Sequence, residues 1–116
     1  MITDIPTIVR AFKNNGIEIV PNNSIDDTTS IPCITYRENN NAEEETGDTV
    51  GYSSLQYIFE VWHREFSELV KLCKRIDAIM RSLGYKRTNT AEQSLNNLTR
   101  KIITYEKNIY EKYEEE

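Results

Sequence analysis

Ile5, Ile8, Val9 and Phe12 stand at i, i+3, i+4 and i+7, the spacing that lines one face of a helix. They predict a short amphipathic helix from Asp4 to Asn15, with Pro6 tolerated in its first turn and Asn15-Gly16 as a stop. Ile17-Glu18-Ile19-Val20 alternates briefly before Pro21, and Asn22 to Ser30 is polar and turn-rich. Ile31-Pro32-Cys33-Ile34-Thr35-Tyr36-Arg37 predicts a strand in which Pro32, lacking a ladder donor, is confined to the first residues.

The strongest strand pattern runs from Tyr52 to Glu65. Leu55, Tyr57, Phe59, Val61 and His63 share one face, and Gln56, Ile58, Glu60, Trp62 and Arg64 the other. The first face is nearly all apolar, while Ile58 and Trp62 make the second more apolar than a fully solvated face requires. The strongest helix pattern follows from Phe66 to Leu83, where Leu69, Leu72, Cys73, Ile76, Ile79, Met80 and Leu83 form a single stripe. Ser67 is the expected N-cap, Gly84 the expected C-terminal glycine, and Lys71, Lys74, Arg75 and Arg81 take the outer face.

Between the two strands, residues 39–51 read as a long acidic loop on composition, with three asparagines, three glutamates and two glycines. Loops of that length are usually functional or disordered. After the long helix, Tyr85 to Gln93 is compatible with an edge strand and Asn96-Asn97 with a turn. Leu98 to Tyr110 reads as a last strand, with a helix as the competing reading because helix formers crowd residues 106–116. Residues 111–116 are expected to fray. This order predicts one α+β domain over residues 1–116: a two-layer sandwich of an antiparallel three- to four-stranded sheet with two helices on one face. The other sheet face would be left uncovered, and self-association is the economical way to cover Ile58 and Trp62.

Composition narrows the class. A 116-residue chain with 38% apolar residues builds one modest core and leaves little room for a large cleft. No apolar run approaches a membrane span, and the first residues show no secretory signal. Two cysteines 40 positions apart, Cys33 and Cys73, form neither a disulfide framework nor a paired metal motif, so a reducing compartment is expected. The net charge of −5 hides a segregated pattern. Glu38 to His63 holds Glu38, Glu43, Glu44, Glu45, Asp48 and Glu60 with no Lys or Arg, a charge of −6; Arg64 to Arg87 carries +4. A solvated acidic loop beside an ordinary basic helix face explains this, and so does a bipolar surface on which copies meet head to tail.

Catalytic chemistry finds no foothold. His63 is the single histidine and lacks an evident nucleophile or orienting carboxylate. Periodicity puts Cys73 on the buried stripe, where a thiol acts as a small hydrophobe. Glu43, Glu44, Glu45 and Asp48 lack the alternating ligands and fixed glycine of a calcium loop. No Gly-rich phosphate loop occurs, and Tyr57 and Phe59 lie beside acidic rather than basic sequence, unlike a base-stacking platform. The expectation is no enzyme, no cofactor, no metal and no sequence-specific nucleic-acid contact.

The succession of a short N-terminal helix, the strand Pro32-Cys33-Ile34-Thr35-Tyr36, a polar insertion, the long strand Tyr57-Ile58-Phe59-Glu60-Val61-Trp62, the helix Leu69 to Leu83 ending Ile79-Met80-Arg81-Ser82-Leu83-Gly84-Tyr85, and a closing strand near Tyr105 resembles the tail-completion, or tail-terminator, proteins that join head to tail in long-tailed phages and prophage elements. The match covers residues 3 to 110. The resemblance implies a virion structural protein forming a ring, commonly a hexamer, that caps the tail tube, meets the head connector and lets DNA pass through. It implies a place in the virion tail, and in the host bacterial cytoplasm during assembly, away from membranes. No functional residue carries over from it. From the residues themselves, Glu43, Glu44, Glu45, Asp48, Ile58, Trp62, Lys74 and Arg81 are the expected protomer or partner contacts. The competing reading is a small ferredoxin-like binding or regulatory module with an acidic partner-binding surface.

Overall fold

The computed structural model describes the backbone of residues 3–26, 28–46 and 50–112, and the side chains of these apart from 40–46, 50–53 and 109–112. Helix α1 spans Ile5–Asn14 and helix α2 spans Phe66–Ser82. Five strands, β1 (Val20–Pro21), β2 (Cys33–Thr46), β3 (Val50–His63), β4 (Lys86–Leu95) and β5 (Leu98–Lys112), form one sheet in the order β1-β2-β3-β5-β4. A 3₁₀ turn over Asn22–Ser24 follows β1. The α+β class holds, with one strand more than expected and a mixed sheet, because β1 runs parallel to β2. Two residues of pairing, Val20 with Thr35 and Pro21 with Tyr36, leave too little pattern in sequence to announce a strand.

Both helices end as glycine dictates. Gly16 (φ +74°) and Gly84 (φ +89°) take the left-handed conformation that costs a side-chain-bearing residue energy. Ile17 N–H then reaches Phe12 O at 2.9 Å, and Tyr85 N–H reaches Met80 O at 3.0 Å, satisfying carbonyls the helices leave open. At the other end of α2 the N-cap is Glu65 rather than Ser67, since the chain turns out of β3 directly into the helix. Asp4 occupies the N-cap position of α1 without capping it. Its carboxylate accepts a hydrogen bond from Tyr85 OH (2.7 Å), and its N–H donates to Tyr57 OH (2.8 Å). The helix is thus pinned to β3 and to the end of α2 rather than closed on itself.

The apolar face of β3 carries the core. Leu55, Tyr57, Phe59 and Val61 are buried with Ile34 of β2, Ile103 and Tyr105 of β5, Ile8 and Phe12 of α1, and Leu69, Ile76, Ile79 and Met80 of α2. Phe59 is sealed between Phe12, stacked at 5.4 Å, and Tyr105, edge-on at 5.8 Å. Residues 98–110 are strand, not helix. Their register against β3, from His63 with Thr99 to Val50 with Lys112, places Ile103 beside Phe59 and Tyr105 beside Tyr57 on this face, and that burial outweighs local helix propensity. Strand β5 takes in residues 111 and 112 of the expected frayed tail; residues 113–116 lie outside the described residues.

Residues 39–51 are not the long loop that composition suggests. Strand β2 continues to Thr46 and β3 begins at Val50, paired from Asn40 with Gln56 to Thr46 with Val50. Strand β5 flanks the same stretch of β3. Backbone pairing from neighbours on both sides of β3 sustains the ladder where no apolar alternation signals it. Fourteen strand residues extend about 46 Å, whereas the 17 residues of α2 reach about 25 Å. The sheet therefore outruns its helical layer as a three-stranded ribbon, and the molecule measures 58 × 26 × 23 Å.

Strands β3 and β4 each run antiparallel to β5 and lie on either side of it, hence parallel to one another. The chain passes from β3 to β4 through α2, which crosses over β5. This split β-α-β arrangement leaves β4 as the far edge, beyond the helices, with every residue exposed.

Candidate interaction surfaces

Because α2 sits over β3 and β5, a groove opens between the helix and the uncovered β4. Leu69, Val70 and Cys73 form one wall and Ile103 the floor, enclosing about 270 Å³. Phe66 and Val70, on the flank of the α2 stripe that faces β4, remain 56% and 36% exposed. Arg87, Thr90 and Glu92 of β4 and Lys101 of β5 line the opposite side.

The polar rim is organised around Asp77. Its carboxylate accepts from Arg81 Nε at 2.6 Å and from Tyr105 OH at 3.1 Å, and Arg87 stands at 3.9 Å. Burial would push its carboxyl up, but these hydrogen bonds and the two guanidinium charges hold it below the ordinary range. Tyr105 is pushed well above the usual phenol value by burial and then by the Asp77 charge. Lys101 pairs with Glu92 at 3.6 Å, while Lys74 forms no ion pair among the described residues.

The opposite sheet face is less apolar than its sequence implies. Ile58 is only 8% exposed, covered by its neighbours across the sheet, where Arg37 and Thr104 are its register partners. Trp62 is half-buried beneath Arg100, whose guanidinium lies 5.1 Å from the ring centroid. Arg100 also pairs with Glu60 at 3.1 Å and bonds to Gln93. The expected apolar patch is thus mostly closed within one chain, because the β3–β5 register brings long polar side chains across Ile58 and Trp62. What stays open is the β4–β5 turn, where Leu95 is 75% exposed near Leu98, Arg64 and Trp62. Two buried polar atoms, Thr35 Oγ1 and Trp62 Nε1, have no hydrogen-bond partner among the described residues.

The residues singled out from sequence fall in three places. Ile58 and Trp62 lie on the open sheet face, and Lys74 and Arg81 on exposed positions of α2 in the other layer. Glu43, Glu44 and Glu45 belong to β2 in the ribbon, and Asp48 lies outside the described residues. Arg81 is tied to Asp77, which leaves Lys74 as the uncommitted cation of that pair. Sequence reasoning passed over Phe66, Leu95 and Arg100. Phe66 opens the α2 stripe and Leu95 precedes the Asn96-Asn97 turn, so both carried a local signal; Arg100 becomes meaningful only through its register opposite Trp62.

His63 sits at the turn from β3 into α2, and Cys33 and Cys73 are free and half-buried. His63 Nδ1 accepts the Glu65 N–H at 3.0 Å, bracing the turn from β3 into α2. Burial pushes the thiols of Cys33 and Cys73 up, and Glu18 adds to the effect at Cys33. Among the described residues no three His, Cys, Asp or Glu side chains converge as metal ligands, and no helix is long and apolar enough to cross a membrane. Comparison with protein-family models and with curated proteins finds no match.

Proposed function

We propose that this protein is a non-enzymatic structural component of a phage virion, assembling with copies of itself into a ring that completes the tail and joins it to the head. The observation that carries the reading is the ribbon: β2, β3 and β5 continue past the helical layer, and every buried side chain described on β3 lies between Leu55 and Val61. A projecting sheet with no helix packed on it among the described residues is suited to contact neighbouring molecules rather than to bind a small substrate. The succession of elements that resembles tail-completion proteins and the split of −6 and +4 along the chain agree with it. A hexamer is the expected ring, with the tail tube and head connector as partners and DNA passing through without sequence-specific contact. Particle imaging and light scattering of the purified protein, alone and with tail proteins, test this. Closed rings are expected; a monomer under all these conditions refutes the reading.

A second reading, a ferredoxin-like binding or regulatory module, is favoured by the split β-α-β unit and the groove beside α2. It requires a stable monomer or dimer that captures a basic protein through the acidic ribbon, with affinity that falls as salt rises.

A further inference from the structure

Sheet edges are templates for another strand unless they are blunted, and this sheet has two that are long. Strand β4 is fully exposed and pairs only with β5. A register shift between Arg87 and Asn89 interrupts its start, leaving an even run of seven residues from Asn89 to Leu95. On the other edge β1 covers β2 only at Thr35 and Tyr36. A shift between Glu38 and Asn40 is followed by a second even run of seven, Asn40 to Thr46, with no strand on its outer side among the described residues.

The run from Asn40 to Thr46 is strongly acidic, while the run from Asn89 to Leu95 carries only Glu92 and is flanked by cations from α2, β5 and the start of β4. Asn40 to Thr46 holds Glu43, Glu44 and Glu45 and no cation. The groove along β4 and the adjoining α2 face present Lys74, Arg81, Arg87 and Lys101 against Asp77 and Glu92. Exposed Phe66 and Val70 add apolar surface alongside β4.

We propose that the β2 edge of one copy, residues 40–46, docks beside the β4 edge of a second copy, residues 89–95, so that the sheet continues from protomer to protomer. The contact joins two different surfaces of the same chain. It is therefore directional, and repeated it generates a closed ring or an open filament. This inference rests on the ring reading above and specifies the contact that would build it.

The turn geometry identifies the atoms involved. Asn96 and Asn97 both have positive φ (50° and 63°), a two-residue turn in which the flanking pair, Leu95 and Leu98, exchanges both backbone hydrogen bonds. Alternation then points the N–H groups of Gln93 and Ala91 towards β5 and those of Ser94, Glu92 and Thr90 outward. Thr90→Pro removes an outward donor and none of the internal ladder.

Sedimentation of the full chain across concentration, with hydrogen exchange on the same samples, tests the proposal. Thr90→Pro should raise the concentration for half-assembly about tenfold, as expected for one lost backbone bond per contact, while far-ultraviolet circular dichroism is unchanged. Replacing Glu43, Glu44 and Glu45 together by Gln should weaken assembly and flatten its salt dependence. In the unmodified protein the Thr90, Glu92 and Ser94 amides should gain protection as it assembles, which decides the matter even if the proline variant fails to fold. Rings that form equally well with Thr90→Pro, with those amides unprotected, overturn the edge contact and leave the ring reading standing. Protection of β4 only after tail tube protein is added overturns the second copy as occupant. A chain that stays monomeric alone and with tail proteins overturns both.

Discussion

Raising the pH above 10 should destabilise this protein through two buried phenols. Tyr85 and Tyr105 are 3% and 0% exposed, and each donates its hydroxyl proton to a carboxylate, Asp4 at 2.7 Å and Asp77 at 3.1 Å. Burial, followed by the adjacent carboxylate, pushes both phenols far above their ordinary value. A group whose folded-state value is raised contributes its full stability below the unfolded value, near 10, and loses it as pH climbs beyond that. At pH 11 the unfolded chain has released a proton the folded chain retains, which costs about 1.4 kcal/mol per phenol and about 3 kcal/mol for the pair. Against a typical stability of about 5–15 kcal/mol, that is a large fraction. Urea unfolding at pH 8, 10 and 11 measures the loss, and tyrosinate absorbance reports which phenols ionise before unfolding. The double variant Tyr85→Phe/Tyr105→Phe starts less stable, because each phenol gives up a hydrogen bond to a charged group, but its further loss between pH 8 and 11 should shrink by about 3 kcal/mol. Equal losses in the two proteins would refute the reasoning.

Four further outcomes are expected. Phe59→Ala empties a site closed by Phe12 and Tyr105 and should cost about 3–5 kcal/mol in denaturant unfolding. Asp77 has a lowered carboxyl, so its stabilisation exists above the unfolded value near 4 and disappears as pH falls through the folded value; Asp77→Asn should flatten the acid limb of a stability profile below about pH 4. Gly84→Ala at φ +89° should lower thermal stability by roughly 1–2 kcal/mol, and Gly16→Ala at φ +74° by a similar amount. Arg100→Ala uncovers the lone tryptophan: Trp62 emission should shift to longer wavelength with a stability loss of about 1 kcal/mol, measured by fluorescence and urea titration together.

The elements legible in the sequence are those whose burial is one-sided. The α2 stripe and the odd positions of β3 pack against each other, so each had to repeat at its own period. The ribbon was illegible for the same reason: residues 40–46 earn their strand state from backbone pairing, which leaves no mark on side-chain polarity. The final strand stayed ambiguous until its register with β3 was known, since Ile103 and Tyr105 alternate as in a strand while helix formers crowd residues 106–116. Of the candidate surface, charge segregation and Lys74 were visible early. The groove was not, because it depends on β4 lying beyond β5, a fact of strand order. Likewise Ile58 reads as exposed apolar surface until Arg37 and Thr104 are seen beside it.

Strand order also dictates how the chain must be made. Strand β5 lies second from the far edge yet is the last of the described strands to be synthesised, and it supplies one whole side of β3 from Val50 to His63. While the ribosome is still translating residues 98–112, β3 has been complete for some time with an unpaired inner edge and the apolar row Leu55, Tyr57, Phe59 and Val61 only partly covered. Such a nascent chain is a candidate for chaperone holding, and premature release there yields an aggregation-prone fragment rather than a smaller domain.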